Sequence, residues 1–445
     1  MKALWNRLLT DHGMVLVLVM LAAFFSWATF TEQQPGGVAG ARSLMKELAR
    51  VLPDGGTVLV VVRNTPEDVL LGETLIASMT GTRWTPVQAR PLMGTPADLR
   101  SLLEPQTLRV GAFACSPAAG EWTVFDTLRR ELGGEILGPV VTPARQRWPL
   151  FLAGDNLLNV ANQIAVIAII AIGMTLVIVA GGIDLSVGSL IALAAVIATR
   201  LIRDAGGGES AGTLVLIAAS LAAIALCGGV GLLSGWVVTG FGVPPFIATL
   251  AMMLVASGLA FITAEGQSIY QVPDAFVGLG RGAWLGVPNA VWLMAGLYLA
   301  AHVVMTRSVF GRHVYAVGGN AEAARLSGVP VRRIRTITYI VSASLAGLGG
   351  VVMASQLKSG APTYGQMYEL YVIAAVVVGG TSLTGGRGRV LGTLVGALII
   401  AVIRNGMNLT GVESYAQMVV LGLVILAAVL LDTIRHRGWR AWDST

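Results

Sequence analysis

About ten stretches of this chain are nearly free of charge, and they are separated by short polar links. They fall at roughly 13–30, 157–181, 186–203, 212–239, 244–264, 290–306, 336–356, 369–380, 390–404 and 415–432. An apolar run of about 17 to 25 residues crosses a bilayer as a helix, because a helix satisfies its own backbone polar groups. The pattern therefore predicts a polytopic α-helical membrane protein with about ten spans. The runs at 369–380 and 390–404 are short and broken by glycine.

Residues 31–148 follow another pattern. "GTVLVVVRN" (Gly56 to Asn64) reads as a buried strand, and "PEDVLLGETLIASM" (Pro66 to Met79) as a helix with acidic residues in its first turn. "TLRVGAFACS" (Thr107 to Ser116) reads as a second strand and "EWTVFDTLRREL" (Glu121 to Leu132) as a second helix. Strands alternating with helices predict a small α/β domain with a parallel sheet, inserted between the first and second spans. The expected organisation is 1–30 as N-terminal tail and first span, 31–148 as the insert, 149–434 as a helical core and 435–445 as a tail.

Composition agrees with a membrane protein. The 445 residues are 55% hydrophobic and only 12% charged, against about 25% charged in soluble domains. The net charge of +6 is dispersed, which argues against nucleic acid as a partner and for the positive-inside bias. Basic residues cluster at Arg307, Arg312, Arg325, Arg332, Arg333 and Arg335, in the tail "RHRGWR" (Arg435 to Arg440), and at Lys2 and Arg7. Ten spans put all of these, with Arg387 and Arg389, in the cytoplasm, together with both termini. The 31–148 insert then lies outside it. Lys2 and Arg7 precede an apolar run too long for a signal peptide, so an uncleaved first span is expected. Cys115 and Cys227 are far apart, and His12, His302, His313 and His436 are scattered. Neither set suggests a metal site or a disulfide framework.

Two interruptions carry the candidate chemistry. "GGIDLSVG" (Gly181 to Gly188) and "GGTSLTGG" (Gly379 to Gly386) share the pattern G-G-x-x-L-[S/T]-x-G, and both follow an apolar run. Paired glycine-broken segments in two halves of a membrane protein point to a transport pathway. Asp184 can cap the helix that restarts after the first break, and Ser186 can as well. An ionisable group at membrane depth also reads as part of a gate. The second copy has Ser382 in place of the carboxylate, which favours a helix-restart device over an ion site. "FGVPPFIATLAMM" (Phe241 to Met253) enters a span with Pro244 and Pro245 at its start, where a missing N–H costs little. Phe246 and Thr249 there are candidates for a pore lining or for lipid-facing packing. Gly228, Gly229 and Gly231 suit close helix packing.

The polar stretch "GGNAEAARLSGVPVRR" (Gly318 to Arg333) predicts a short helix capped by Asn320 and stopped by Gly328 and Pro330. It fits either a solvated connector or a docking helix for a cytoplasmic partner. No Walker A pattern, H-E-x-x-H or nucleophile elbow occurs, so binding and conformational gating are expected, not bond making.

Residues 150–432 resemble the permease subunits of bacterial ABC importers of the ribose/xylose/galactoside class, in the branched-chain-amino-acid/sugar permease superfamily. The resemblance rests on "GMTLVIVAGGIDLSVGSL" (Gly173 to Leu190), "FIATLAMM" (Phe246 to Met253), "GRHVYAVGGNAEAARLSGV" (Gly311 to Val329) and "IAAVVVGGTSLTGGRGRVLGTLVGALI" (Ile373 to Ile399). It implies a type II-like importer: two permease copies, two cytoplasmic ATP-binding cassette subunits that hold ATP and magnesium, and an extracytoplasmic solute-binding protein. The permease itself would hold no cofactor and no metal and be no enzyme, in a bacterial inner membrane. The solute implied is a ribose-like monosaccharide or a similar polar molecule. The resemblance places coupling to the ATPase on Gly319, Asn320, Glu322, Ala323, Ala324, Arg325, Leu326 and Gly328. Gate or pathway positions are expected at Gly182, Asp184, Ser186, Phe246, Thr249, Gly380 and Ser382. Family members often carry an aspartate after "YEL", where this chain has Tyr371, and relatives lack the insert. An ion-coupled secondary transporter and a membrane sensor using the insert are the competing readings.

Overall fold

A computed structural model describes residues 2–103, 110–132 and 138–437. The chain divides into two compact units, Met1–Thr29 with Leu150–Thr445, and Phe30–Pro149. In chain order, helix α1 (Lys2–Ala28) leads into the smaller unit. That unit contains β1 (Phe30–Gln33), α2 (Gly37–Val51), β2 (Gly56–Val62), α3 (Pro66–Met79), β3 (Trp84–Pro86), β4 (Leu92–Met93), α4 (Pro96–Leu103), β5 (Ala112–Cys115), α5 (Val124–Leu132), β6 (Val140–Val141) and β7 (Gln146–Pro149).

The sheet of the smaller unit runs β3-β2-β5-β6, and β4 pairs with the far end of β2. Every pairing in it is parallel. A central parallel strand is covered on both faces and so reads as an unbroken apolar run, which is why "TVLVVV" shows no polar alternation. Val58, Val60 and Val62 pack under Leu44, Leu48, Leu71 and Leu75 of α2 and α3. Leu59 and Val61 pack on the other face with Leu99, Phe113 and Leu128. The Asp68 carboxylate, at the start of α3, accepts bonds from Arg63 Nε at 2.8 Å and Ser116 Oγ at 3.0 Å. Cys115 is fully buried, and burial pushes its thiol pKa up. The second strand is shorter than its sequence pattern, and 107–109 lie outside the described residues. The α5 helix starts at Val124, not Glu121, because Trp122 N–H closes a turn onto Ala119 O. The α2 helix has no counterpart in the sequence reading, since its glycines and alanines mask its apolar face.

The larger unit continues with α6 (Gly154–Val179), α7 (Val187–Asp204), α8 (Thr213–Phe241), α9 (Pro245–Thr263), α10 (Asp274–Val277) and a short hairpin, β8 (Ala283–Trp284) and β9 (Val287–Pro288). Then come α11 (Asn289–Arg307), α12 (Val309–Gly319), α13 (Ala321–Leu326), α14 (Val331–Leu357), α15 (Tyr368–Val378), α16 (Val390–Leu409) and α17 (Ser414–Arg437). Each of the ten apolar runs lies on a helix of this unit. Among the described residues, six are long and apolar enough to cross a membrane: α6, α8, α9, α11, α14 and α16. The α7 helix falls outside that set because Arg200, Arg203 and Asp204 occupy its last turns.

The α6 helix is the centre of this unit, buried on every side from Ile164 to Val179. A helix that is apolar all round belongs inside a bundle. The α14 helix lies against α6, α7 and α8. Small residues set the α8–α14 approach: a side chain at Gly231 would overlap the Tyr339 carbonyl, and one at Gly228 would meet Ser344 Oγ at 2.7 Å. Gly229 faces open space instead. At the end of α1, the Thr29 carbonyl accepts Leu150 N–H at 3.0 Å and the Thr29 hydroxyl accepts Phe151 N–H at 3.0 Å.

Candidate functional site

Both sequence breaks are helix ends of one kind. The α6 helix stops with Gly181 at φ +82°, Gly181 N–H bonding Ile178 O and Gly182 N–H bonding Val177 O, each at 2.9 Å. The α15 helix stops with Gly380 at φ +87°, Gly380 N–H bonding Val377 O at 2.8 Å and Thr381 N–H bonding Val376 O at 3.1 Å. These are Schellman closures, in which the N–H of a left-handed residue and that of the residue after it turn back onto the last carbonyls. They align Gly181 with Gly380, whereas the sequence repeat aligns Gly181 with Gly379. The copies therefore share a device, with the closure placed one residue later in the second.

The turn after each closure is also reproduced. Asp184 Oδ1 accepts Ser186 N–H at 3.1 Å and the Ser186 hydroxyl at 2.6 Å. Ser382 Oγ accepts Thr384 N–H at 3.4 Å and pairs with the Thr384 hydroxyl at 2.9 Å. This corrects the capping expectation. Ser186 is the N-cap residue of α7 but makes no side-chain cap bond; its hydroxyl donates to Asp184. Asp184 satisfies the N-cap residue's own N–H and none deeper in the helix. Its second oxygen reaches across to α14, where Ser342 Oγ donates at 2.9 Å. Asp184 is only 1% exposed. The Thr249 hydroxyl joins this break by donating to Ile183 O at 3.2 Å. Phe246 does not; it is exposed on the first turn of α9.

The two breaks touch each other and a third element. Gly386 N–H bonds Val179 O at 2.9 Å, tying the loop after α15 to the end of α6. Gly318, at the end of α12, lies so close to both that a Cβ there would overlap the Val179 carbonyl and stand 2.5 Å from Gly386 N. A Cβ on Gly386 would stand 2.7 Å from Gly319 Cα. Tyr315, one turn back in α12, donates its hydroxyl to Gly388 O at 2.8 Å. One turn inside the bundle, the buried hydroxyls of Thr175 and Thr393 meet at 2.8 Å.

The α13 helix follows this junction directly. Asn320 Oδ1 accepts the N–H groups of Glu322 and Ala323, both at 3.0 Å. Gly328 at φ +84° closes the far end, with Val329 N–H on Ala324 O. Arg325 Nε donates to Glu322 at 3.0 Å, and this guanidinium holds the Glu322 carboxyl below its usual range. Ala324 faces inward, while Glu322, Ala323, Arg325 and Leu326 are exposed, Leu326 at 74%. An exposed leucine on so short a helix offers an apolar contact to another surface.

Sequence reading missed the contribution of α14. Tyr339 Oη and Arg335 Nε are buried beside Gly182 and Gly181 and have no hydrogen-bond partner among the described residues. The signal was present as polar residues within an apolar run, Thr338, Tyr339 and Ser342. Because the Tyr339 hydroxyl is buried unpaired, Tyr339→Phe is expected to be neutral or to stabilise the chain by up to about 1 kcal/mol. The check is the thermal midpoint in detergent; a loss of several degrees would show a partner for that hydroxyl. Tyr371 lies on α15 with the Arg404 guanidinium 5.0 Å over its ring.

A bundle of apolar helices with two glycine-closed breaks, joined to an exposed loop helix, defines a multi-pass membrane permease. The chain belongs to the family described as branched-chain amino acid transport system / permease component, whose match covers residues 156–429. It is similar to the ribose import permease protein RbsC of Escherichia coli K12, at 46% identity over 288 residues, 64% of this chain and 87% of that one. RbsC of Bacillus subtilis is 42% identical over 64% of this chain and 86% of its own. The L-arabinose ABC transporter permease protein AraH of Azospirillum brasilense is 37% identical over 66% and 84%. No solved structure matches the chain.

Proposed function

We propose that this chain is the sugar-translocating permease subunit of an ATP-binding cassette importer for a ribose-like monosaccharide or a similar small polar solute. Two permease copies line the pathway, separate cytoplasmic subunits bind and hydrolyse ATP, and an extracytoplasmic binding protein delivers the solute. The relatives' names, for ribose and arabinose import, support the solute class. In this reading ten helices cross a bacterial inner membrane with both termini in the cytoplasm. The α/β unit is an extracytoplasmic insert between the first two spans.

The observation that carries the reading is the link between α13 and the two breaks. The α13 helix presents Glu322, Ala323, Arg325 and Leu326 to a partner, and α12 connects it to Gly318 in the junction with Val179 and Gly386. Movement of α13 on a closing ATPase pair then biases the ends of α6 and α15 together, a two-state element acted on from the cytoplasm. The Asp184–Ser342 bond extends that coupling to α14.

The test is co-purification with the candidate ATPase subunits. Replacing Glu322–Leu326 with a Gly/Ser linker is expected to abolish the complex and ATP-dependent uptake, while the permease still folds. Uptake that persists without any ATPase and collapses with an ionophore would favour an ion-coupled transporter instead.

A further inference from the structure

The end of the bundle opposite α13 holds a cavity of about 240 Å³. Its walls come from the N-terminal half of α6, the last turn of α14, the first turn of α15 and the C-terminal part of α16. The α14 helix starts just after α13 at Val331 and reaches the cavity at Met353, Gln356 and Leu357, 22 to 26 residues later. At 1.5 Å per residue the two sites are about 33 Å or more apart, so they lie at opposite ends of the membrane-spanning bundle. At ~30 Å³ per water the space equals about eight waters, enough for a solute of about ten heavy atoms.

Its polar lining is Gln163, Gln356, Tyr368 and Arg404, set among Val160, Ile164, Ile167 and Met353. A few polar groups on an apolar wall is how small-molecule sites are built. Arg404 is half-buried and has no carboxylate partner among the described residues. Its guanidinium carbon lies 5.0 Å over the Tyr371 ring centroid, and its N–H groups make no side-chain hydrogen bond among the described residues. The Gln356 amide nitrogen is committed to Asn162, at 3.1 Å to the backbone oxygen and 3.3 Å to the side-chain oxygen, so its own amide oxygen remains as an acceptor. Gln163 makes no side-chain hydrogen bond among the described residues. The Arg404 region is held in place by its neighbour: Asn405 and Asn156 exchange amide bonds at 2.8 and 3.0 Å across α16 and α6.

We propose that this cavity is a solute-contact site at the mouth opposite the ATPase, and that Arg404 selects a solute carrying a carboxylate, a sugar acid in preference to a neutral sugar. A cation within a spanning helix that lacks a counter-ion is costly and is retained where it meets one in function. The guanidinium fork matches a carboxylate through two parallel bonds. The two glutamines supply an acceptor and an uncommitted amide for hydroxyl groups, and Tyr368 supplies an aromatic wall. The proposal rests on the permease reading and narrows its solute class.

The experiment uses the purified full chain in nanodiscs of phosphatidylcholine, with and without phosphatidylglycerol, and reads the thermal midpoint against D-ribonate, D-ribose and inorganic phosphate. Ribonate is expected to raise the midpoint in a saturable way at concentrations at least about tenfold below any effect of ribose. Arg404→Gln is expected to weaken the ribonate effect at least about tenfold, Arg404→Lys to retain part of it, and Gln163→Leu to weaken it several-fold. No ribonate effect, equal effects of ribonate and ribose, or an unchanged ribonate effect in Arg404→Gln would each overturn the proposal. So would stabilisation by phosphatidylglycerol alone that Arg404→Gln removes while ribonate stays inert, since the anion would then be a lipid headgroup. If phosphate matches ribonate, the carboxylate preference falls. No ATPase subunit enters this assay, so its failure leaves the co-purification test standing.

Discussion

Gly318→Ala is expected to abolish transport while the chain still reaches the membrane and binds its ATPase partners. The added methyl would overlap the Val179 carbonyl and stand 2.5 Å from Gly386 N. Both are backbone atoms and have no rotamer through which to withdraw. The end of α12 must move away, which strains or breaks the Gly386 N–H bond to Val179 O. Overpacking costs about 1–3 kcal/mol, and the lost bond adds about 1 kcal/mol. The total is enough to lower uptake by tenfold or more if the junction relays motion. The control is Gly319→Ala. A Cβ there meets nothing within 4 Å, and alanine favours a helix over glycine by about 1 kcal/mol. Wild-type uptake in both variants would remove the junction from the mechanism. Loss in both, with α13 still bound to the ATPase, would place the sensitivity in α12 and not in its contact.

Asp184→Ala is expected to destabilise the chain by about 2–4 kcal/mol. The side chain accepts three hydrogen bonds in a fully buried position, and its removal leaves two hydroxyls and an N–H with no acceptor. Asp184→Asn should behave differently. Its oxygen can keep the two Ser186 bonds, and its NH₂ can donate to Ser342 Oγ, since a hydroxyl also accepts. Near-normal stability and uptake in Asp184→Asn, with a large loss in Asp184→Ala, would show that this residue works as an acceptor that fastens the first break to α14. A folded, ATPase-bound but inactive Asp184→Asn would show that the charge itself matters.

These two residues also mark how far the sequence could be read. The apolar runs are legible because a helix that crosses lipid is apolar along most of its length, as six of these helices are. The turns after them are legible because only glycine adopts the left-handed closure cheaply. The α13 helix is legible from Asn320 and Gly328, whose capping roles are local. What stayed hidden was everything between elements. Nothing in "GGNAEAAR" tells that Gly318 lies against Val179 and Gly386, since that depends on three helix ends meeting. The one-residue slip between the two breaks was hidden for a similar reason: a pattern match counts letters, while a Schellman closure counts from the last helical carbonyl. Ser342 and Tyr339 were passed over because a lone hydroxyl in an apolar run reads as a backbone-bonded spectator. Phe246 shows the same limit: its place on the first turn of α9 says nothing about which way the ring points, and the sequence leaves a pore lining and a lipid-facing position equally open.

Thr29 receives both Leu150 N–H and Phe151 N–H. The seam is thereby shut at the base, and the membrane-spanning unit is stitched where the chain departs and returns. Whatever is threaded between those two points is, for this unit, a loop of arbitrary length. A splice that joins Thr29 to Leu150 through a tight turn preserves every contact of the helical bundle. The same seam is a grafting point, where reporter or affinity sequences can be exchanged for residues 30–149 without rerouting a single helix.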